Sequence, residues 1–310
     1  MPRSCRHPGI SGQERLSMRI ESAVGLWSLF AVLVAAVMPP RPAQAANSAT
    51  AGTAQYVALG SSYAAGPGIA PTVSGSPERC ARSAENYAHV LAGRHGLSLV
   101  DVSCSGATTH DVLFAGQFGL PAQVDAVTGQ TQWVTVTIGG NDVFYMANLI
   151  ASTCTARSAS PQSAAGCEVK PDDLVEERFR ALPDSLREIV ARVHLKSPHA
   201  QVVFVTYFTV LPQQGTCSRV ALTAEQADHM RAVAVRLGDI TRQVAGQTGS
   251  GVVDVAALSR THDACSSDPW VLGARREAGE SIPPFHPNRE AMRAVGAALD
   301  AYLASKASKQ

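Results

Sequence analysis

The stretch Tyr56-Val57-Ala58-Leu59-Gly60-Ser61-Ser62-Tyr63-Ala64-Ala65-Gly66 opens as an apolar, strand-like run, breaks at Gly60 and places two serines where the chain must turn. In an open α/β sheet the carboxyl end of a strand faces the crevice where ligands bind, and the free N–H groups of the following helix point to the same place. A serine at such a corner is positioned as a nucleophile. It then requires a base and oxyanion donors from elsewhere in the chain.

The remaining sequence alternates in the same way. Strand candidates are Gln55 to Leu59, Leu97 to Ser103, Trp133 to Ile138, Gln201 to Tyr207 and Gly251 to Val255, each short, apolar and bounded by polar or glycine signals. Helical spacing of apolar residues runs through Glu85 to Arg94, Asp173 to Leu195, Thr223 to Thr248 and Pro287 to Ser305, and Thr223 with Gln226 has the pattern of a capping box. Fully apolar strands between helices predict a parallel sheet of about five strands covered on both faces, a three-layer α/β/α sandwich. The Ser/Ala-rich stretch Ser152 to Gly166 reads as a surface excursion rather than a domain boundary.

Charge removes one class of function. Lys and Arg number 26 against 25 Asp and Glu, a net charge of +1 without a basic stripe, so nucleic acid is not an expected partner. At the N-terminus, Arg15 and Arg19 precede an apolar run from Ala23 to Met38, followed by Ala43-Gln44-Ala45, the pattern of an export signal cleaved after Ala45 or Ala46. That run is shorter than the ~20 residues that span a bilayer, so no stable membrane insertion is expected. Translation beginning at Met18 fits the same pattern. The predicted organisation is a signal peptide over 1–45, a linker over 46–54, one domain over 55–305 and a tail over 306–310, acting as a secreted monomer.

Cysteine usage agrees with an oxidising compartment. Of seven cysteines, Cys5 falls in the leader, and the rest are Cys80, Cys104, Cys154, Cys167, Cys217 and Cys265. Six cysteines allow 15 pairings; order along the chain and placement near element ends favour Cys80 with Cys104, Cys154 with Cys167, and Cys217 with Cys265. None forms a C-x-x-C pair and no histidine lies at ligand spacing from them, so no metal site is expected, and no cofactor.

Three more segments fall beside element ends: Cys104-Ser105-Gly106-Ala107-Thr108, Gly139-Gly140-Asn141-Asp142 and Phe285-His286-Pro287-Asn288. A serine ester hydrolase needs a hydroxyl, a neutral imidazole to take its proton, and donors where the carbonyl oxygen becomes an oxyanion. Taken singly, His286 and Asn141 read as helix-capping residues and Gly139-Gly140 as a strand exit. Only the four segments together single out that chemistry.

In order and approximate spacing these segments resemble the sequence blocks of the SGNH (GDSL-type) hydrolases across residues 55 to 305. The resemblance implies a flavodoxin-like α/β fold, Ser62 as nucleophile, His286 as base, and an oxyanion hole formed by the N–H groups of Ser62 and Gly106 with the Asn141 amide. The stretches around Cys104 and Cys265 resemble the three-disulfide actinobacterial esterases and lipases of that family. Two positions depart from its pattern. The usual Gly-Asp-Ser is Gly60-Ser61-Ser62, which makes Ser61 a rival nucleophile, although serines at such corners commonly bind nearby backbone. The usual Asp three residues before the histidine is Pro283. Dyad members of the family imply that a main-chain carbonyl, here that of Pro283, orients the ring, with Asp263, Asp268 and Glu280 as alternatives.

Phe114, Phe118, Phe144 and Tyr145 are candidates for an acyl pocket or for core, while His110, His229 and His262 carry no spacing that demands more than a surface or supporting role. The expected activity is acyl transfer from a small-molecule or lipid ester to water by a secreted serine esterase or lipase. A carbohydrate deacetylase or acyltransferase would use the same site. A non-catalytic binding protein on the same fold is the remaining alternative.

Overall fold

The computed structural model describes residues 55–154, 167–275 and 278–307. Among them five strands, β1 (Tyr56–Gly60), β2 (Leu99–Asp101), β3 (Trp133–Thr137), β4 (Gln201–Val205) and β5 (Gly251–Val253), make one parallel sheet in the order β2-β1-β3-β4-β5. Helices follow the strands: α1 (Ser62–Ala65), α2 (Tyr87–His95), α3 (Thr109–Leu113), α4 (Tyr145–Ser152), α5 (Asp172–Lys196), α6 (Ala224–Thr248), α7 (Val255–Leu258) and α8 (Arg289–Ala307). α2 packs on α8, and α5 packs on α3 and α6, which gives the three-layer α/β/α sandwich.

Every residue of β1 is buried, as are Val134 to Thr137 of β3, because helices cover both faces of the sheet. The polar groups in this core are paired: the Tyr56 hydroxyl lies 2.8 Å from Thr135 Oγ1, and that of Tyr87 lies 2.7 Å from Thr137 Oγ1. β2 is shorter than the run from Leu97 to Ser103, yet its pairing continues past Asp101 through Val102 N–H to Ala58 O and Cys104 N–H to Gly60 O, both 3.0 Å. α6 begins on the expected capping box, with Thr223 and Gln226 exchanging side-chain-to-backbone hydrogen bonds at 2.9 and 3.2 Å. α1, α3, α4 and α7, of four to eight residues, were not expected; helices this short show too little apolar periodicity to be read.

The three disulfides join Cys80 to Cys104, Cys154 to Cys167 and Cys217 to Cys265, the pairings favoured by chain order. The signal peptide and linker, and most of the excursion from Ser152 to Gly166, lie outside the described residues. α8 runs to Ala307, two residues past the expected end of the domain, and 308–310 also lie outside them.

The strand order matters for the site. The chain leaves β1 to build β2 on one side and β3 on the other, so the loops leaving β1 and β3 diverge and open a crevice between them, where this class of sheet binds ligands. Ser62 follows β1 and Asn141 follows β3.

Candidate active site

The first wall of the crevice is the corner after β1. Gly60 has φ +145°, and a Cβ there would stand 2.5 Å from the Thr137 carbonyl oxygen, so only glycine lets β1 and β3 run so close at this end. The buried Gln123 side chain grips the same residue from both sides: its Oε1 accepts the Gly60 N–H at 2.7 Å and its Nε2 donates to Gly60 O at 3.0 Å. Ser61 N–H donates to Thr137 O at 3.0 Å. Its hydroxyl lies 3.1 Å from the Tyr207 hydroxyl, so Ser61 is occupied in holding the corner. Ser62 instead places Oγ 2.9 Å from His286 Nε2. The structure thus separates the two serines: Ser61 faces Tyr207, and Ser62 meets the imidazole.

The ring of His286 is set by its own turn. The carbonyl expected to orient it, that of Pro283, instead accepts the main-chain N–H of His286 at 3.2 Å, closing the turn. The ring nitrogen Nδ1 faces Pro284 O at 2.8 Å. Phe285, at φ +60°, turns the Pro284–Phe285 peptide so that the Pro284 oxygen, rather than that of Pro283, faces the ring. Tyr63 secures that peptide's neighbour, its hydroxyl donating to Phe285 O at 2.5 Å while its ring packs 5.3 Å from the imidazole. A carbonyl only accepts, so Nδ1 carries the proton of the neutral ring and Nε2 is left to accept from Ser62. The alternative carboxylates have partners elsewhere: Asp263 accepts Cys265 N–H at 2.7 Å, Glu280 accepts Ile282 N–H at 2.8 Å, and Asp268 lies 3.3 Å from His262 Nδ1.

Gly106 sits in a loop held at both ends. Cys104 is tied to Cys80, Ser105 N–H donates to Cys80 O at 3.1 Å, and the Gln117 amide donates to Ser105 O at 3.1 Å. Among the described residues neither the Ser62 nor the Gly106 N–H has an acceptor. Asn141 donates one amide N–H to Ala107 O at 2.8 Å, which fixes its side chain beside the Gly106 loop and leaves the second N–H. Gly140, just before it, would drive a Cβ to 2.5 Å from the Tyr207 ring; its N–H donates to the Tyr207 hydroxyl at 3.0 Å. Tyr207 therefore links the β1 corner to the β3 loop. Burial pushes its phenol up to about 12 against the pull of the Ser61 and Gly140 hydrogen bonds, so it stays protonated at neutral pH. Next to Asn141, the Asp142 carboxylate accepts from the Thr109 N–H at 3.0 Å and from the Thr109 hydroxyl, tying β3 to α3; burial raises its pKa while these bonds pull it down.

The four aromatic candidates divide. Phe114 and Phe144 line a groove of ≈ 380 Å³ that Asn141 also borders. Phe118 lies away from it beneath Arg79, 5.2 Å from ring centroid to guanidinium, and Tyr145 is buried edge-on to Tyr207. His262 stacks on Trp270 at 4.0 Å, His110 packs on Phe114 at 5.5 Å, and His229 lies 3.5 Å from Asp172. Sequence reasoning missed Gln123, Tyr207 and Tyr63, whose partners lie 63, 146 and 222 residues away; no local pattern marks them.

The sequence profile of the GDSL-like lipase/acylhydrolase family matches residues 58–294. Lipase 2 of Streptomyces coelicolor is 34% identical over 250 residues, covering 79% of this chain and 84% of that one. Among solved structures, the extracellular lipase of Streptomyces rimosus superposes with a TM-score of 0.65 at 26% identity, over 79% of this chain and 98% of that one. Phospholipase A1 of Streptomyces albidoflavus does so with a TM-score of 0.64 at 27% identity, over 79% and 98%. With the serine, imidazole and amide blocks gathered at the sheet's switch point, these likenesses show that the chain belongs to the GDSL-like lipase/acylhydrolase family and is a carboxylic ester hydrolase.

Proposed function

We propose that the protein hydrolyses esters through a Ser62–His286 dyad whose imidazole is oriented by the Pro284 carbonyl. The observation that carries this reading is the 2.9 Å contact between Ser62 Oγ and His286 Nε2, with Nδ1 held on a carbonyl. Ser62 Oγ attacks the ester carbonyl as Nε2 takes its proton. The resulting imidazolium returns the proton to the leaving alcohol, and water then repeats the cycle on the acyl-enzyme. The N–H groups of Ser62 and Gly106 and the second Asn141 amide N–H receive the oxyanion, each donor contributing roughly 3 kcal/mol to transition-state stabilisation. A carbonyl stabilises imidazolium less than a carboxylate would, but it sets the tautomer and the ring plane, which is what proton transfer needs first.

The protein acts outside the cell, after residues 1–45 are removed as a signal peptide. Three disulfides support this, since such bonds persist in oxidising compartments. Among the described residues no helix is long and apolar enough to cross a membrane. Reaction with a fluorophosphonate followed by peptide mapping tests the site. The label is expected on Ser62; a label on Ser61, or normal labelling of His286→Ala, would overturn the assignment.

A further inference from the structure

Nine consecutive residues after α3, Phe114-Ala115-Gly116-Gln117-Phe118-Gly119-Leu120-Pro121-Ala122, carry no charge, and Gln117 is the one polar side chain among them. Phe114 and Phe118 are 59% and 54% exposed, whereas every other phenylalanine among the described residues is buried or half-buried. Large apolar side chains left together in water mark a contact surface. We propose that this loop docks the protein on the surface of an anionic phospholipid bilayer, with Phe118 entering between the headgroups.

The loop is shaped to project. A Cβ on Gly116 would collide with the Pro121 carbonyl oxygen, so glycine lets the two ends of the turn close on each other. Leu120 N–H donates to Gln117 O at 3.0 Å, and Phe118 takes φ +59° between them, a conformation that bulky side chains rarely adopt. A groove of ≈ 380 Å³ is bordered by Gly116 and Leu120 of the loop together with Val102 and Cys104 of the body, so the turn is not packed down on the sheet. The Gln117 amide, which donates to Ser105 O at 3.1 Å, holds the loop against the Gly106 segment, and a surface met by Phe118 therefore lies beside the crevice. Docking itself does not depend on the dyad; only its use, bringing lipid esters to Ser62, rests on the reading given above.

Charge selects the occupant. Arg79, 5.2 Å from the Phe118 centroid, and Arg178, which borders the groove that Phe114 lines, have no carboxylate partner among the described residues. Of the neighbouring acids, Asp111 is bonded to Thr108, Asp125 to Lys196 and Asp142 to Thr109, which leaves Glu78 against the two guanidiniums. Apolar side chains with a cationic flank suit an anionic lipid surface, where the rings enter the headgroup layer and the arginines meet phosphate. A second copy of the chain would instead bring like charges together.

The test is co-sedimentation of the full mature chain with vesicles of ether-linked phosphatidylcholine, alone or mixed with ether-linked phosphatidylglycerol, lipids that offer no ester to cleave. The wild-type protein is expected to bind the anionic vesicles about 5-fold or more tightly than the zwitterionic ones, with the difference lost at high salt. Phe118→Asn, chosen because asparagine accepts the left-handed conformation, should weaken binding to the anionic vesicles by about 10-fold. Arg79→Gln should weaken it by about 5-fold, and on the anionic vesicles only. Both variants should keep kcat/KM on soluble p-nitrophenyl acetate, and thermal melts check that they fold. Val235→Ser, at an equally exposed apolar position on α6, should bind as the wild type does. Equal binding to the two vesicle types, wild-type binding by Phe118→Asn, or an equal loss in Val235→Ser would overturn the proposal. So would a concentration-dependent dimer that Phe118→Asn disperses, which would give the loop to a second copy. Vesicle binding that persists while the fluorophosphonate label falls elsewhere than Ser62 would uphold the docking and break the dyad, so the two failures are distinguishable.

Discussion

The corner that carries Ser62 and the loop that carries His286 meet at 2.9 Å but are built in opposite ways. Ser62 opens α1 two residues past β1, an interior strand of the sheet, and the backbone just before it is fixed by β3, by Gln123 and by the Ser61–Tyr207 pair. His286 lies between α7 and α8, where the described residues form no helix or strand beyond an isolated bridge pairing Val271 with Pro287. That loop is held by hydrogen bonds that include Leu272 N–H to His286 O, Ala264 N–H to Val210 O, Ala274 N–H to Arg219 O, the Tyr63 hydroxyl to Phe285 O and the Ser281 hydroxyl to Gly68 O, by the burial of Val271 and Phe285 in the core, and by the Cys217–Cys265 bond. The proposed nucleophile therefore shares the stability of the sheet, whereas the proposed base depends on the tertiary packing and hydrogen bonds of a loop without a ladder of its own, the kind of segment that opens locally first. Activity should be more fragile than the fold, and it should fail from the histidine side.

The largest expected effects come from the two side chains proposed to react. Ser62→Ala and His286→Ala should each lower kcat on p-nitrophenyl acetate by about 10⁴–10⁶-fold with melting temperatures near wild type, as for the reacting pair of other serine hydrolases. Ser61→Ala should keep a substantial fraction of activity, since its hydroxyl bonds Tyr207 rather than the imidazole. Equal losses from both serines would erase the distinction between a holding and a reacting residue.

Next in size is the clamp on the corner. Gln123→Leu leaves the buried Gly60 N–H without an acceptor, a cost of roughly 1–3 kcal/mol in stability. Because it also frees the backbone that sets Ser62, kcat should fall by about 10²-fold. Denaturant melts alongside single-turnover acylation measure the two together. A loss of stability with kcat intact would mean that the corner tolerates movement.

The histidine loop is sharpened by removing its covalent link. Replacing Cys217 and Cys265 together by serine should cost roughly 2–4 kcal/mol. In the variant, hydrolysis should disappear at urea concentrations below those that unfold the sheet, as followed by circular dichroism. Coincident transitions would show that the loop and the sheet unfold as one unit. The smallest effects belong to the carboxylates: Asp263→Asn, Asp268→Asn and Glu280→Gln should each lower kcat/KM by less than about 10-fold, against ~10⁴ in kcat for loss of a true triad acid. One of them matching His286→Ala would replace the carbonyl-held dyad with a displaced triad.

What could be read in the chain and what could not divide along the same line. The five strands, the long helices and the disulfide pairings were legible because apolar runs, helical spacing and loop order are local properties. Ser62, Gly106, Asn141 and His286 could be picked out as candidates, since a glycine or polar break at an element end is written in consecutive residues and the resemblance to a known family joined the four breaks; the structure brings Ser62 to His286 and Asn141 to the Gly106 loop. The choice of Pro284 over Pro283 was not legible. It depends on the direction of the Pro284–Phe285 peptide, whose neighbour, the Phe285 carbonyl, Tyr63 holds from 222 residues away. Gln123 and Tyr207 look like any buried polar and aromatic residues until the sheet brings them to Gly60 and Ser61. The fate of the aromatic candidates was equally hidden, because Phe144 at the groove and its neighbour Tyr145 in the core differ only in which way each side chain faces. The sequence by itself determined which chemical groups are present and at which element ends they stand; the tertiary structure decided which of them touch, because hydrogen bonds act over about 3 Å and only the packed sheet brings distant residues that close.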